Sequence, residues 1–175
     1  RKESSAASDV YKRQASDSSN QTTITNGSGN ASTDTSASLS GAVFVYTRSG
    51  TNWSQQAYIK ASNAAAGDRL GSAIALSGNT LVVGATHEAS DQTTITNGTG
   101  SSSNNDNAGS GAVYVYTRSG TNWSQQAYIK ASNSDASDYF GQSVSISGDT
   151  LAVGVPNEDS NQTTITTTSS SDNSA

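Results

Sequence analysis

The sequence predicts an all-β fold built from repeated four-stranded antiparallel sheets, and three observations carry that prediction. Residues 40–63 recur as 110–133 with a single change, Phe44 against Tyr114, so the chain repeats itself at a spacing of 70 residues. Its apolar residues fall in short runs bounded by glycine-bearing turns, and no segment keeps a 3.6-residue apolar period over ten residues. Only 31% of the 175 residues are hydrophobic and 13% charged, with Ser, Thr, Asn and Gly making up the difference. Such a composition buries little apolar surface per residue and leaves long solvated loops.

Taken in order, residues 1–14 (RKESSAASDVYKRQ) do not match the repeat and read as a non-native leader, of the kind an assembly artefact leaves. They are expected to make no packed contact, so deleting them should leave stability unchanged. Residues 15–39 are a polar, low-complexity inter-strand loop. Their Gln21-Thr22-Thr23-Ile24-Thr25-Asn26-Gly27 recurs as residues 92–98, and in part as 162–166, which makes them the tail of a repeat. Residues 40–63 hold the outer half of a first sheet, a strand at 42–47 and a second at 53–60. Residues 70–133 hold a complete sheet, and 140–156 the inner half of a further one; 157–175 form a polar tail.

Within the complete sheet, a five-residue loop at 118–122 is expected between strands 112–117 and 123–130. Residues 143–147 alternate small polar and β-branched side chains, and 151–155 is an apolar run. Gly148-Asp149 between them fits a two-residue hairpin whose first central residue takes positive φ. Val113 and Val115 point to one side of their strand, Tyr114 and Tyr116 to the other. A small twisted sheet that is apolar on both faces needs a neighbour on each side, which is the condition inside a β-propeller. The small residues of 72–77 and 143–147 suit the crowded axis, so that strand is placed innermost. A β-solenoid or a stack of sandwiches fits the 70-residue period and the meander less well. Uncovered terminal half-sheets would leave strand edges open and favour association.

The stretch Phe140-Gly141 to Gly154-Val155-Pro156 resembles the FG-GAP repeat, the unit of the propeller in integrin alpha subunits and of many bacterial surface and secreted proteins. The earlier copy, Leu70-Gly71 to Gly84-Ala85-Thr86, has Leu for the Phe and Thr for the Pro; the later has Val for the Ala. The resemblance covers roughly residues 40–160. It implies an extracellular or cell-surface location and a non-catalytic role in adhesion or ligand binding. The alternatives are a purely structural repeat array in a large secreted protein, or the scaffold of a propeller enzyme whose site lies in other blades.

Alternate connections of a meander fall at opposite ends. The turns at Gly78 and Gly148 and the loops around Gly50 and Gly120 therefore share one face. The long loop 86–109 and the connections 61–68 and 131–139 share the other. The acids collect on that second face: Asp68, Glu88, Asp91, Asp135 and Asp138 as ligand-face candidates, with Asp106, Glu158 and Asp159 as weak metal candidates. Binding residues favour loops on a rigid scaffold, in the service of an extracellular protein or glycan ligand; the bland reading is a solvated spacer kept soluble by acids and amides.

No cofactor is assigned. The resemblance suggests calcium in a D-x-D-x-D-G loop, but here that loop is shortened to Gly78-Asn79 or Gly148-Asp149, too few carboxylates for six to eight oxygens. The Asn104-Asn105-Asp106-Asn107 run is the weaker alternative. His87 is the only histidine and is replaced by Asn157 at the equivalent position of the other copy, so it reads as an exposed loop residue. With no cysteine and one histidine, the nucleophile–base pairs of hydrolases are not formed, and no enzyme is predicted. Trp53/Trp123 and Tyr58/Tyr128 could line a carbohydrate ladder, but Trp123 and Tyr128 lie five apart and should face opposite sides, which favours core packing. The Asn-x-Ser/Thr triplets are numerous in a chain this rich in the three residues.

The net charge is -5; without the four bases and two acids of residues 1–14, five bases face twelve acids. That balance argues against nucleic acid as a partner. No apolar run approaches the length of a membrane span. The remaining partners are further blades of the same chain.

Overall fold

The computed structural model describes residues 10–14, 16–29, 31–161 and 163–165. The first nine residues of the leader and the polar tail beyond residue 165 lie outside them. Among the described residues there is no helix, and eleven strands follow in order. They are β1 (Val10–Gln14), β2 (Thr25–Asn26), β3 (Ala42–Ser49), β4 (Asn52–Ile59), β5 (Leu70–Ser77), β6 (Thr80–Ala85), β7 (Ile95–Asn97), β8 (Ala112–Ser119), β9 (Asn122–Ile129), β10 (Ser143–Ser147) and β11 (Thr150–Gly154). They make three antiparallel sheets with orders β1-β3-β4-β2, β5-β6-β8-β9-β7 and β10-β11.

The hairpins follow from their turn residues. Ser147 pairs with Thr150 and Ser77 with Thr80, so Gly148-Asp149 and Gly78-Asn79 are two-residue turns, with φ of 55° and 58° at their glycines. The expected five-residue loop at 118–122 is tighter than the sequence suggests. Ser119 pairs with Asn122 across Gly120-Thr121, and Ser49 with Asn52 across Gly50-Thr51.

Both faces of the central sheet are covered. Tyr114 and Tyr116 pack with Val43, Val45, Ala57 and Ile59 of the preceding sheet. Val113 and Val115, one residue out of phase, pack with Phe140, Ile146, Leu151 and Val153 of the following one. Adjacent repeats are also tied backbone to backbone, Leu70 N to Ser40 O at 2.9 Å and Phe140 N to Ser110 O at 3.0 Å. The first strands of successive sheets, β5 and β10, lie against each other.

The parity argument for Trp123 and Tyr128 is corrected. The register slips between Val115 and Tyr116, which pair with Ala127 and Gln125, so Gln126 is an extra residue in β9. One inserted residue turns every later side chain to the other face. Trp123 and Tyr128 therefore share a face and one core. Core packing holds for Tyr58, Tyr128 and Trp123, which is 2% exposed and donates its Nε1–H to Gln56 Oε1 at 2.9 Å, but is corrected for Trp53, which is 45% exposed.

Residues 10–14 are also corrected. They form β1, which pairs with β3 from Val10↔Tyr46 to Gln14↔Ala42. One repeat later, β6 pairs with β8 from Leu81↔Tyr116 to Ala85↔Ala112, so β1 fills the slot that β6 fills there. Deleting residues 1–14 is therefore expected to bare the edge of β3, lower the melting temperature and promote association in light scattering. Unchanged melting and mass would return these residues to a passive leader.

Candidate functional site

The acids of the long-loop face divide into an inward set and an outward set. Glu88 follows β6 and is fully buried. Its carboxylate accepts from Lys130 Nζ at 2.9 Å, Ser90 Oγ at 3.1 Å and Asn63 Nδ2 at 3.0 Å. Lys130 Nζ also donates to Ser110 Oγ at 2.6 Å, and the hydroxyls of Ser90 and Tyr128 are joined by a short hydrogen bond. The preceding repeat builds the same cross from Asp17, with Lys60 Nζ at 3.0 Å from its carboxylate and 2.7 Å from Ser40 Oγ, and Tyr58 OH donating at 3.1 Å. Burial drives Lys130 and Lys60 below the usual lysine range, against the pull of their carboxylates. The sequence reading did not single out these lysines. The signal that could have found them was an identical Ala-Tyr-Ile-Lys-Ala-Ser in both copies, a charge set inside an apolar run.

Asp68 and Asp138 are equally inward, 2% and 3% exposed, and each closes a turn by accepting a backbone N–H, from Ala65 at 2.7 Å and Asp135 at 2.8 Å. Glu158 is half-buried and holds Asn133 Nδ2 at 2.7 Å and Ser160 Oγ at 3.0 Å, as Glu88 holds Asn63 and Ser90. The expectation of an exposed acidic surface is thus corrected for Asp68, Glu88 and Asp138, whose carboxylates are spent on the repeat itself. Asp91, Asp106, Asp135 and Asp159 are exposed. Asp91 accepts from Asn104 Nδ2 at 2.6 Å and so pins the base of the long loop.

Burial, with Glu88 nearby, pushes the Asp68 carboxyl up to about 7. A carboxyl whose folded pKa is raised binds more protons folded than unfolded, so its contribution is full below about pH 4 and is lost as pH rises through about 7. Asp68→Asn keeps an acceptor for the Ala65 N–H and removes the charge. It is expected to raise stability at pH 8 by a few kcal/mol, since each tenfold change in acidity is worth about 1.4 kcal/mol, and to leave it nearly unchanged at pH 4. Urea midpoints at the two pH values check this; an equal effect at both would refute it.

The same face carries a cavity of about 650 Å³, lined by Arg69, Gly71, Ser72, Thr86, His87, Tyr139 and Gln142. It lies where the starts of β5 and β10 approach. His87 is half-buried here rather than exposed as the sequence suggests. Its ring lies 4.9 Å from that of Tyr139, and its Nδ1 is 3.0 Å from Thr86 Oγ1. Burial, and then the Arg69 charge, push its pKa below the usual histidine value, which favours the neutral imidazole.

Among the described residues no three His, Cys, Asp or Glu side chains gather as a metal site. In the Gly78-Asn79 turn the Asn79 Oδ1 is already taken by Arg118, Nε at 3.0 Å and Nη2 at 2.9 Å. Millimolar calcium is expected to shift the melting temperature little against chelator at matched ionic strength. A micromolar site would add about 4 kcal/mol and several degrees, and such a rise, lost in Asp106→Ala or Glu158→Ala, would overturn the expectation.

The FG-GAP repeat family model matches residues 53–116 and 123–165, more than half of the chain, and the two matches begin at the equivalent Trp53 and Trp123. No curated protein matches the sequence. With the family match, the antiparallel sheets and the 70-residue repeat in agreement, the chain belongs to the FG-GAP repeat family.

Proposed function

We propose that this chain is a non-catalytic binding module of an extracellular or cell-surface protein, presenting its long-loop face to a protein or glycan ligand. FG-GAP repeats are typical of such proteins, and among the described residues no helix is long and apolar enough to cross a membrane. The observation that carries the reading is the order of the long loop. Its β7 pairs with β9, from Ile95↔Ile129 to Asn97↔Ala127. Gln125 Nε2 donates to Gly100 O at 2.9 Å, and Asn107 N to Ala89 O at 2.7 Å. A polar loop fixed in this way presents its groups without an ordering cost at the moment of binding.

Further repeats are a second class of partner. Trp53 is 45% exposed at the position where Trp123 is covered by the preceding sheet. Another sheet on that face would bury it in the same manner.

The test is a panel of extracellular matrix proteins and glycans probed with the full chain. Asp91→Ala and Asp135→Ala, on the long-loop face, are expected to weaken capture; Asp149→Ala, on the opposite face, is not. Equal effects from both faces, or no capture at all, would refute the reading.

A further inference from the structure

We propose that the cavity between the starts of β5 and β10 binds a carboxylate-bearing sugar, with Arg69 taking the carboxylate and His87 and Gln142 taking neighbouring hydroxyls. The proposal rests on the reading of the long-loop face as the binding face and names the ligand class that this part of it fits.

The backbone fixes who reaches the cavity. Arg69 and Tyr139 are equivalent residues of successive repeats, and both are held at positive φ, 59° and 55°. Residues other than glycine rarely adopt that conformation, and they persist in it where the surroundings over-determine it. Here hydrogen bonds from the preceding repeat do so: Arg69 N to Leu39 O at 3.0 Å, and Tyr139 N to Gly109 O at 2.9 Å, each followed by the repeat-to-repeat bond of the next residue. Both side chains line the one cavity. Among the described residues no carboxylate pairs with Arg69, in a chain where acids outnumber bases. Its planar fork matches a carboxylate through two parallel hydrogen bonds.

The hydroxyl chain beneath fixes the histidine tautomer. Ser72 Oγ lies 2.7 Å from the Arg69 carbonyl, which can only accept, so the Ser72 proton points there. Thr86 Oγ1, 3.0 Å from Ser72 Oγ, must then be the donor of that pair. Having given its proton, Thr86 Oγ1 accepts from His87 Nδ1–H at 3.0 Å. Nε2 is left with its lone pair, an acceptor for a ligand hydroxyl, and the Gln142 amide both donates and accepts. One cation on a held backbone, beside a hydroxyl acceptor and an amide, suits a polyhydroxylated carboxylate. It does not suit a phosphate dianion, which would call for more positive charge. The cavity is roomy for a lone carboxylate and open enough for a sugar within a longer chain.

Isothermal titration of the full chain with a trimer of galacturonic acid tests the proposal, with the neutral galactose trimer and acetate as controls. The acidic trimer is expected to bind and both controls to fail at the same concentrations. Arg69→Tyr is expected to weaken binding at least tenfold, and His87→Asn several-fold. These substitutions install the residues that the next repeat carries as Tyr139 and Asn157, the first in the same backbone conformation, so the fold should tolerate them; melting curves verify this. Arg69→Lys, keeping the charge without the fork, is expected to fall between wild type and Arg69→Tyr, and it serves as the readout should Arg69→Tyr not fold. The proposal is overturned if the acidic trimer does not bind, if the galactose trimer or acetate binds as tightly, or if folded Arg69 variants bind unchanged. If panel capture still depends on Asp91 and Asp135 in that event, the face reading survives and the cavity assignment alone falls.

Discussion

Replacing Lys130 with methionine is expected to lower the stability of the chain by about 3–5 kcal/mol, the usual result of removing one partner from a buried ion pair. The Lys130 and Glu88 side chains are 0% and 1% exposed, and their charged atoms lie 2.9 Å apart. With the ammonium gone, the Glu88 carboxylate keeps Ser90 and Asn63 as donors but has no opposite charge and almost no exposure to solvent. Since a domain's whole stability is about 5–15 kcal/mol, a large part of it depends on this pair. The pair itself need not be stabilising relative to a neutral one, because desolvation opposes its Coulomb attraction. The double substitution Lys130→Met with Glu88→Gln is therefore expected to recover most of the loss, as the neutral amide oxygen could still accept from Ser90 and Asn63. Urea unfolding of both variants, compared at unchanged m-value, measures the coupling. A single variant costing under about 1 kcal/mol, or a double variant no better than the single, would show that the charge is solvated. The Lys60–Asp17 pair should respond less, since the Asp17 side chain is 12% exposed.

What the sequence revealed and what it hid separate on physical grounds. The strands were legible because their signal is local: alternation, short apolar runs, and glycine at turns that need positive φ. Two-sided burial was legible from Val113 and Val115 against Tyr114 and Tyr116, which fill different cores. The bulge at Gln126 was not, because it is a single residue with no glycine or proline to mark it, and it silently reversed the parity linking Trp123 to Tyr128. Strand β7 was hidden in a polar loop. Its three residues, Ile95, Thr96 and Asn97, are too few to carry an apolar alternation, and their partner β9 is remote in sequence. The acids were misplaced because charged residues are almost never fully buried unless paired, and the partner that buries Glu88 lies 42 residues away. The cavity was invisible for a related reason. Arg69, His87 and Tyr139 are scattered along the chain and meet only when two repeats stack.

The motif glycines supply the second large effect: Gly84→Ala is expected to destabilise the chain by about 1–3 kcal/mol, toward the upper end of what overpacking costs, while Gly154→Ala costs well under about 1 kcal/mol more than an ordinary surface change. The two are equivalent residues of successive repeats, the glycine before Ala85 and before Val155, and each lies opposite the equivalent residue of its hairpin partner, Ala73 and Ser143. Their surroundings differ. A Cβ on Gly84 would overlap the carbonyl oxygen of Gly141, the glycine after Phe140, with the Gly141 carbonyl carbon 3.1 Å away. The approach is close from both sides, since a Cβ on Gly141, whose φ is 88°, would in turn meet Ala112 O at 2.8 Å and the Val113 side chain at 3.0 Å. Backbone thus meets backbone, and room for one methyl has to come from prising β6 away from the next repeat. A Cβ on Gly154 would meet the Ser143 hydroxyl, a side chain that can rotate aside. The glycines that define the repeat therefore act between repeats, and the cost of filling one depends on whether the next repeat is docked against it. Matched urea midpoints for the two variants decide the point. Equal losses would mean that the glycines serve their own strands, and the stacking argument would fall.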